Sequence, residues 1–340
     1  MNRLIVLAFV ALLGACAQMT VQRPLTPEPT FTGPRLEADR FVSFDGAKLG
    51  LIHWDAAGGE PWAVIVGVHG MDDYANAFHL AAPYWASRGI ATYAYDQRGF
   101  GRSPQRGVWA GDALMTEDLR TITALVRAKY PHAVIAVAGE SLGGAVAIEA
   151  FASDRPPDAD RLVLLAPAVW GWSSQPLAYK LALTLAARLA PAKVFDPPGF
   201  VTEHISPSDN TEELIAMGRD PLMLWGARSD ALYGLVTTME RGWREIGQVR
   251  APTLYLLGDK DQIIPHEPAL QAARRLPAGD RTAEYAEGWH LLMRDRQAHN
   301  VWADVAAFVR DPAAPLPSGA PAIPGTAAAS GALVAGSAAR

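Results

Sequence analysis

Val134-Ile-Ala-Val-Ala-Gly-Glu-Ser-Leu-Gly-Gly-Ala-Val-Ala-Ile148 is the stretch that decides the fold. Val134 to Ala138 is a short apolar run rich in β-branched residues, the pattern of a buried strand. Gly139-Glu140-Ser141-Leu142-Gly143 follows, and then an alanine-rich run that favours helix. A chain that passes from strand to helix within these five residues holds Ser141 in strained backbone and lifts its hydroxyl clear of the sheet edge. Gly139 and Gly143 suit the turn because a Cβ at either would meet the neighbouring strand or helix. The helix start also points its N-terminal amides, and the positive end of its dipole, towards that hydroxyl. The five-residue pattern alone fits any glycine-rich turn. The strand before it and the helix after it are what give it meaning.

Outward from this unit, apolar runs alternate with helical patterns. Arg40 to Phe44, Asp45-Gly46 and Lys48 to Trp54 read as a β-hairpin on a tight primed turn. Ala63 to Val68, Ile90 to Tyr95, Leu162 to Leu165, Thr253 to Leu257 and Thr282 to Tyr285 read as further strands, buried on both faces. Asp112 to Lys129 presents Met115, Leu119, Ile122 and Val126 on one helical face, with Asp112 as the expected cap. Phe78 to Arg88 is helical in pattern, with Pro83 marking a kink or the true start. Ala298 to Arg310 closes the series as a helix. Strands separated by helices, mostly without hairpin turns, predict an α/β fold with a mostly parallel central sheet flanked by helices.

The rhythm stops between Ala168 and about Gln248. Pro176 to Leu189 is apolar almost all round, and Trp170, Trp172, Trp225 and Trp243 lie in or beside this region. An inserted helical cap over residues 168–248 would sit above the carboxyl ends of the strands, where α/β proteins bind ligands.

The two ends have other compositions. Met1-Asn2-Arg3 and the apolar run Leu4 to Leu13 suit a signal peptide over residues 1–15, and the run is shorter than the about 20 residues a bilayer crossing takes. Leu13-Gly14-Ala15-Cys16 resembles a bacterial lipobox, which implies cleavage before Cys16 and its acylation. Ala17 resembles the signal that sends such lipoproteins to the outer membrane, so the expected location is the bacterial cell envelope, lipid-anchored. Cys16 is the only cysteine; no intramolecular disulfide is possible, and acylation would explain an unpaired cysteine in an exported chain. Residues 16–40, with Pro24, Pro27, Pro29 and Pro34, read as a flexible tether, roughly 80 Å long if extended. Residues 311–340 are nearly all Ala, Pro, Gly and Ser and read as a disordered tail. Residues 41–167 and 249–310 then form the core. A net charge of −5 without any Lys/Arg cluster argues against nucleic acid as a partner.

Ser141 needs a base and an acid from later loops, in chain order acid then histidine. Of the eight histidines, His204, His266, His290 and His299 follow it. His290, in Glu287-Gly288-Trp289-His290, comes directly after the strand Thr282 to Tyr285; His266 is its rival. The strand Thr253 to Leu257 runs into Gly258-Asp259-Lys260-Asp261, where both aspartates are within reach.

Taken together, His69-Gly70-Met71, Asp96-Gln-Arg-Gly-Phe-Gly-Arg-Ser103, Gly139-Glu-Ser-Leu-Gly-Gly144, Gly258-Asp-Lys-Asp261 and Gly288-Trp-His290 resemble the α/β-hydrolase superfamily. The branch they resemble is the monoacylglycerol lipase, lysophospholipase and serine aminopeptidase-like group, over about Phe41 to Arg310. The resemblance implies Ser141 as nucleophile, Asp261 as triad acid, His290 as base, and the backbone N–H groups of Met71 and Leu142 as an oxyanion hole. It implies no metal and no organic cofactor. The sequence departs from the pattern at Met71-Asp72-Asp73-Tyr74, where the lipases continue with a Gly-Glu-His-like segment. The activity implied is hydrolysis of carboxylic esters of single-chain lipids, a lysophospholipid or monoacylglycerol. A serine aminopeptidase, or a non-enzymatic surface lipoprotein that keeps the fold, are the other readings.

Overall fold

The computed structural model describes residues 18–196, 199 and 204–326. The leader, Cys16 and the end of the tail lie outside the described residues. Strands β1 (Arg35–Leu36), β2 (Arg40–Val42), β3 (Lys48–Trp54), β4 (Ala63–Val68), β5 (Ile90–Tyr95), β6 (Val134–Glu140) and β7 (Arg161–Leu165) precede an insertion. The insertion carries a small antiparallel pair, β8 (Val194–Phe195) and β9 (Ala227–Arg228). After it come β10 (Thr253–Gly258) and β11 (Arg281–Tyr285). Among the described residues the main sheet has nine strands in the order β1-β2-β3-β5-β4-β6-β7-β10-β11. It is antiparallel from β1 to the β3–β5 pair and parallel from β5 to β11.

Helices α1 (Ala81–Ala86) and α8 (Ala298–Arg310) cover one face, and α2 (Asp112–Lys129), α3 (Leu142–Ala152) and α7 (His266–Ala273) the other. The period of two along each strand divides the core. Val64, Val66, Val68, Ile135 and Val137 meet Leu119, Ile122, Val126 and Phe151, while Ala63, Ile65 and Ala136 meet Trp85, Val301 and Phe308. Covering both faces explains why the strands read as continuous apolar runs.

Chain order makes a switch point. From β4 the chain steps outward to β5, then returns so that β6 pairs on the other flank of β4. The loops after β4 and β6 therefore leave a crevice at the carboxyl edge of the sheet, the place where such sheets bind ligands.

Several local expectations are corrected. Asp112 is the first residue of α2 rather than its cap, and its carboxylate is drawn away to Thr238 and, at 2.7 Å, Arg241. Pro83 lies in the first turn of α1, where a missing N–H costs nothing. The described part of the tether is not free chain. Thr20 N–H donates to Asp230 (3.0 Å), Gln22 N–H to the Trp109 carbonyl (2.8 Å) and Leu25 N–H to Asp45 (2.8 Å). Residues 311–326 of the expected disordered tail also pack. Ile323 is fully buried in the core, the Pro321 carbonyl accepts from Glu284 N–H, and Ser318 binds Asp304. Main-chain groups make most of these contacts, so side-chain composition gave no sign of them.

The insertion carries α4 (Leu177–Leu189), α5 (Thr211–Arg219) and α6 (Ser229–Glu245). Helix α6 is more than a lid. A Cβ on Gly242 would lie 3.3 Å from Ala145 of α3, and Met239 joins the main core. Helix α4 has the opposite character: Leu177, Leu181, Leu185 and Leu189 are each more than half exposed.

Candidate active site

Ser141 sits at the joint of β6 and α3 with φ 51° and ψ −115°, a region L-residues rarely occupy. Its backbone is held on both sides: its N–H donates to the Leu165 carbonyl (3.0 Å) and its carbonyl accepts from Ala168 N–H (2.9 Å). The turn leaves no room for larger residues. A Cβ on Gly139 would lie 2.6 Å from the Gly143 carbonyl oxygen, and one on Gly143 would lie 2.1 Å from that of Val68.

The loop after β4 closes over the serine, since a Cβ on Gly70 would stand 3.2 Å from the Ser141 Cβ. Buried His69 fixes this loop. Its Nε2 accepts from Gln97 N–H (2.8 Å), which leaves Nδ1–H to donate to the Gly70 carbonyl (2.7 Å). Burial keeps the ring neutral by lowering its pKa, against the pull of Asp73 and Asp96. The Asp96–Ser103 loop is structural: Asp96 accepts from the N–H groups of Ala75 (2.9 Å) and Arg102 (2.8 Å). The backbone N–H groups of Met71 and Leu142 donate to no protein acceptor among the described residues. Leu142 opens α3, where the first amides have no intrahelical partner.

Asp261 and His290 meet. The His290 Nδ1 to Asp261 Oδ2 distance is 2.8 Å, and both side chains are buried. The other Asp261 oxygen accepts from Ile263 N–H (2.7 Å) and Ile264 N–H (3.0 Å), which fixes the carboxylate plane. The two loops approach because glycines let them: a Cβ on Gly258 would lie 2.5 Å from Gly288 backbone. Burial works against charge on both partners, yet their mutual attraction wins. The imidazole pKa is raised above 6.5 and the Asp261 pKa is held below 3.8.

The rival residues go elsewhere. His266 Nε2 lies 2.7 Å from Glu284 and 3.7 Å from Asp259, so the two rivals pair with each other at the surface. These three are also the described residues that bring metal-type ligand atoms together, within 4.8 Å. His299 packs on Tyr84, ring centroids 5.0 Å apart.

Arg294 was not read from the sequence. It is 2% exposed and donates to Asp73 (2.6 Å) and Glu140 (2.9 Å). It therefore ties the residue before Ser141 to the loop after β4, four positions beyond His290. Burial raises the Glu140 pKa although Arg294 opposes it. Glu140, next to Ser141 in the turn, was the one signal available, because a buried carboxylate calls for a cation, but nothing beside Arg294 named it as that cation.

Comparison with known proteins places the chain in a family. The profile of the family described as serine aminopeptidase, S33, matches residues 59–297. A monoacylglycerol lipase of Mycolicibacterium smegmatis is 27% identical over 260 residues, 74% of this chain and 89% of the relative. A monoglyceride lipase of Rattus norvegicus is 26% identical over 274 residues, 77% of this chain and 86% of the relative. Among solved structures, the Paleococcus ferrophilus monoacylglycerol lipase superposes with TM-score 0.62 at 21% identity, covering 77% of this chain and 98% of its own. A soluble variant of the Saccharomyces cerevisiae monoglyceride lipase, in complex with a substrate analog, gives 0.67 at 17% identity, covering 84% and 98%. The structural likenesses show the fold, that of the α/β-hydrolases.

Proposed function

The chain belongs to the serine aminopeptidase, S33, family of α/β-hydrolases, and from that premise we propose that it cleaves carboxylic esters of single-chain lipids through an acyl-enzyme on Ser141. That it is a carboxylic ester hydrolase follows from the family and from its lipase relatives. The observation that carries the mechanism is the buried Asp261–His290 bond, which stands at the same sheet edge as the strained serine.

In this reading His290 takes the proton as Ser141 Oγ attacks the ester carbonyl. Asp261 holds the imidazole with Nε2 free to act as base and stabilises the imidazolium that forms. The N–H groups of Met71 and Leu142 receive the oxyanion of the tetrahedral intermediate; losing one such donor typically costs about 100- to 1000-fold in kcat. The alcohol leaves with the proton from His290, and water repeats the sequence to free the acid.

Two features support a lipid substrate, and the expected anchor is consistent with it. The relatives named as monoacylglycerol lipases cover most of this chain. Helix α4 exposes its leucine row, and Val194, Phe195 and Trp225 add exposed apolar surface on the same insertion. Acylation of Cys16 would hold the enzyme on the bacterial envelope beside its substrates. No helix among the described residues is long and apolar enough to cross a membrane. The ordered contacts of residues 20–25 shorten the usable tether below its full extended length.

The peptidase reading requires a carboxylate free to hold a substrate amine; Arg294 already engages Glu140 and Asp73, which leaves Asp72 as the one candidate of the three. The deciding experiment is purified enzyme against p-nitrophenyl esters, monoacylglycerols, lysophospholipids and aminoacyl anilides. Hydrolysis of long single-chain esters above all others is expected; turnover of the anilides alone would reverse the assignment. Labelling by a palmitate analogue, lost in Cys16→Ser, tests the anchor.

A further inference from the structure

Of the three carboxylates on the serine turn and the loop after β4 (Asp72, Asp73 and Glu140), Arg294 binds Asp73 and Glu140, and Asp72 is left over. Asp72 follows Met71 directly and has φ 64°, a left-handed conformation that a glycine would adopt without strain. Its Oδ1 is occluded from solvent and has no hydrogen-bond partner among the described residues. Asp72 and Met71 line a narrow cavity with Phe100, Trp109, Leu224 and Ala231, so the carboxylate is a single acid in an apolar wall. The cavity volume is about 10 Å³, room for one water-sized group. Leu142, the residue after the serine, belongs to the apolar cluster around this cavity.

A buried carboxylate oxygen without a donor is costly in the free enzyme, and a strained backbone adds to that cost. Neither feature helps the fold, since glycine would remove both. A donor brought by the substrate would satisfy the oxygen. We propose that Asp72 forms a specificity subsite beside the oxyanion loop, accepting a hydrogen bond from a small donor group on the substrate, a hydroxyl or an ammonium. The proposal rests on the serine-hydrolase reading above. Burial, and then the neighbouring charge of Asp73, push the Asp72 carboxyl up to about 7, so the group reaches the substrate poorly solvated. In that state it discriminates sharply between a ligand that supplies a donor and one that does not.

The test compares matched esters in the wild type, Asp72→Gly and Asp72→Asn. The hydroxyl pair is 2,3-dihydroxypropyl octanoate against propyl octanoate. The ammonium pair is alanine propyl ester against its N-acetyl derivative. Glycine accepts the left-handed backbone, so Asp72→Gly is expected to fold, and fluorophosphonate labelling reports its Ser141 independently. The wild type should favour the donor-bearing member of one pair, and Asp72→Gly should reduce that kcat/KM ratio roughly tenfold or more. A hydroxyl donor leaves Asp72→Asn close to wild type, because the amide oxygen still accepts; an ammonium donor makes Asp72→Asn behave like the glycine variant. Ratios that do not change in either pair, in a variant that still labels, overturn the subsite and leave the hydrolase reading intact. Failure of the wild type to label or to cleave any of the esters would instead remove the hydrolase reading.

Discussion

Replacing Arg294 by methionine tests how the catalytic loops are held together. The guanidinium is 2% exposed, and it donates to Asp73 at 2.6 Å and to Glu140 at 2.9 Å. Methionine fills much the same space and removes only the charge and the donors. Breaking a buried pair by removing one partner typically costs about 3–5 kcal/mol, because the carboxylate left behind stays desolvated. Two carboxylates are stranded here, and Oε1 of Glu140 already lacks a partner, so the upper half of that range is expected near neutral pH. The sign of the pH dependence follows from Glu140. Burial already raises its pKa above 4.5 in the folded protein, and loss of Arg294 raises it further. A raised carboxyl pKa means that the folded state binds the proton better than the unfolded state. The protonated form therefore folds without penalty below the unfolded pKa, and that stability is lost as pH rises through the folded value. The deficit of Arg294→Met against wild type should shrink from about pH 8 to about pH 5. Urea unfolding followed by tryptophan fluorescence measures both values, and Glu140→Gln added to Arg294→Met should recover part of the loss. A deficit below about 1 kcal/mol, the scale of an exposed pair, or one that grows as pH falls, would refute the reasoning.

Other expectations are sharper for chemistry. Asp261→Asn should lower kcat by roughly four orders of magnitude and Asp259→Asn far less, in steady-state assays on a soluble ester; reversed losses would make Asp259 the acid. Because His290 must be neutral to act as base and its pKa is raised, the acid limb of the pH–rate profile should fall above pH 6.5, and Asp261→Asn should move it to lower pH. Ile323→Ala should cost about 2–5 kcal/mol in urea unfolding if the tail segment is part of the core; no change in midpoint would mean that residues 311–326 only rest on it.

The sequence carried the fold where burial writes itself into side chains. Strands β4 and β5 end where their apolar runs end, because a strand covered on both faces has no polar positions to blur it. The nucleophile turn was legible for a related reason, since only glycine fits within 2.1–2.6 Å of a facing carbonyl. Contacts made by backbone or across long separations were not legible. Pro321 pairs with the edge strand β11 through its carbonyl, which any residue could supply. Arg294 lies 154 residues from Glu140 and 221 from Asp73, so nothing local marks it as buried. The left-handed backbone of Asp72 is likewise invisible, because aspartate in loops usually needs no such conformation.

The most direct measurement is the site of covalent labelling by a fluorophosphonate, located by mass spectrometry of the intact chain and its peptides. The wild type should carry one adduct, on the peptide containing Ser141, and folded Ser141→Ala should carry none. An adduct on another residue, or undiminished labelling of the folded Ser141→Ala protein, would contradict the assignment of the nucleophile and with it the mechanism.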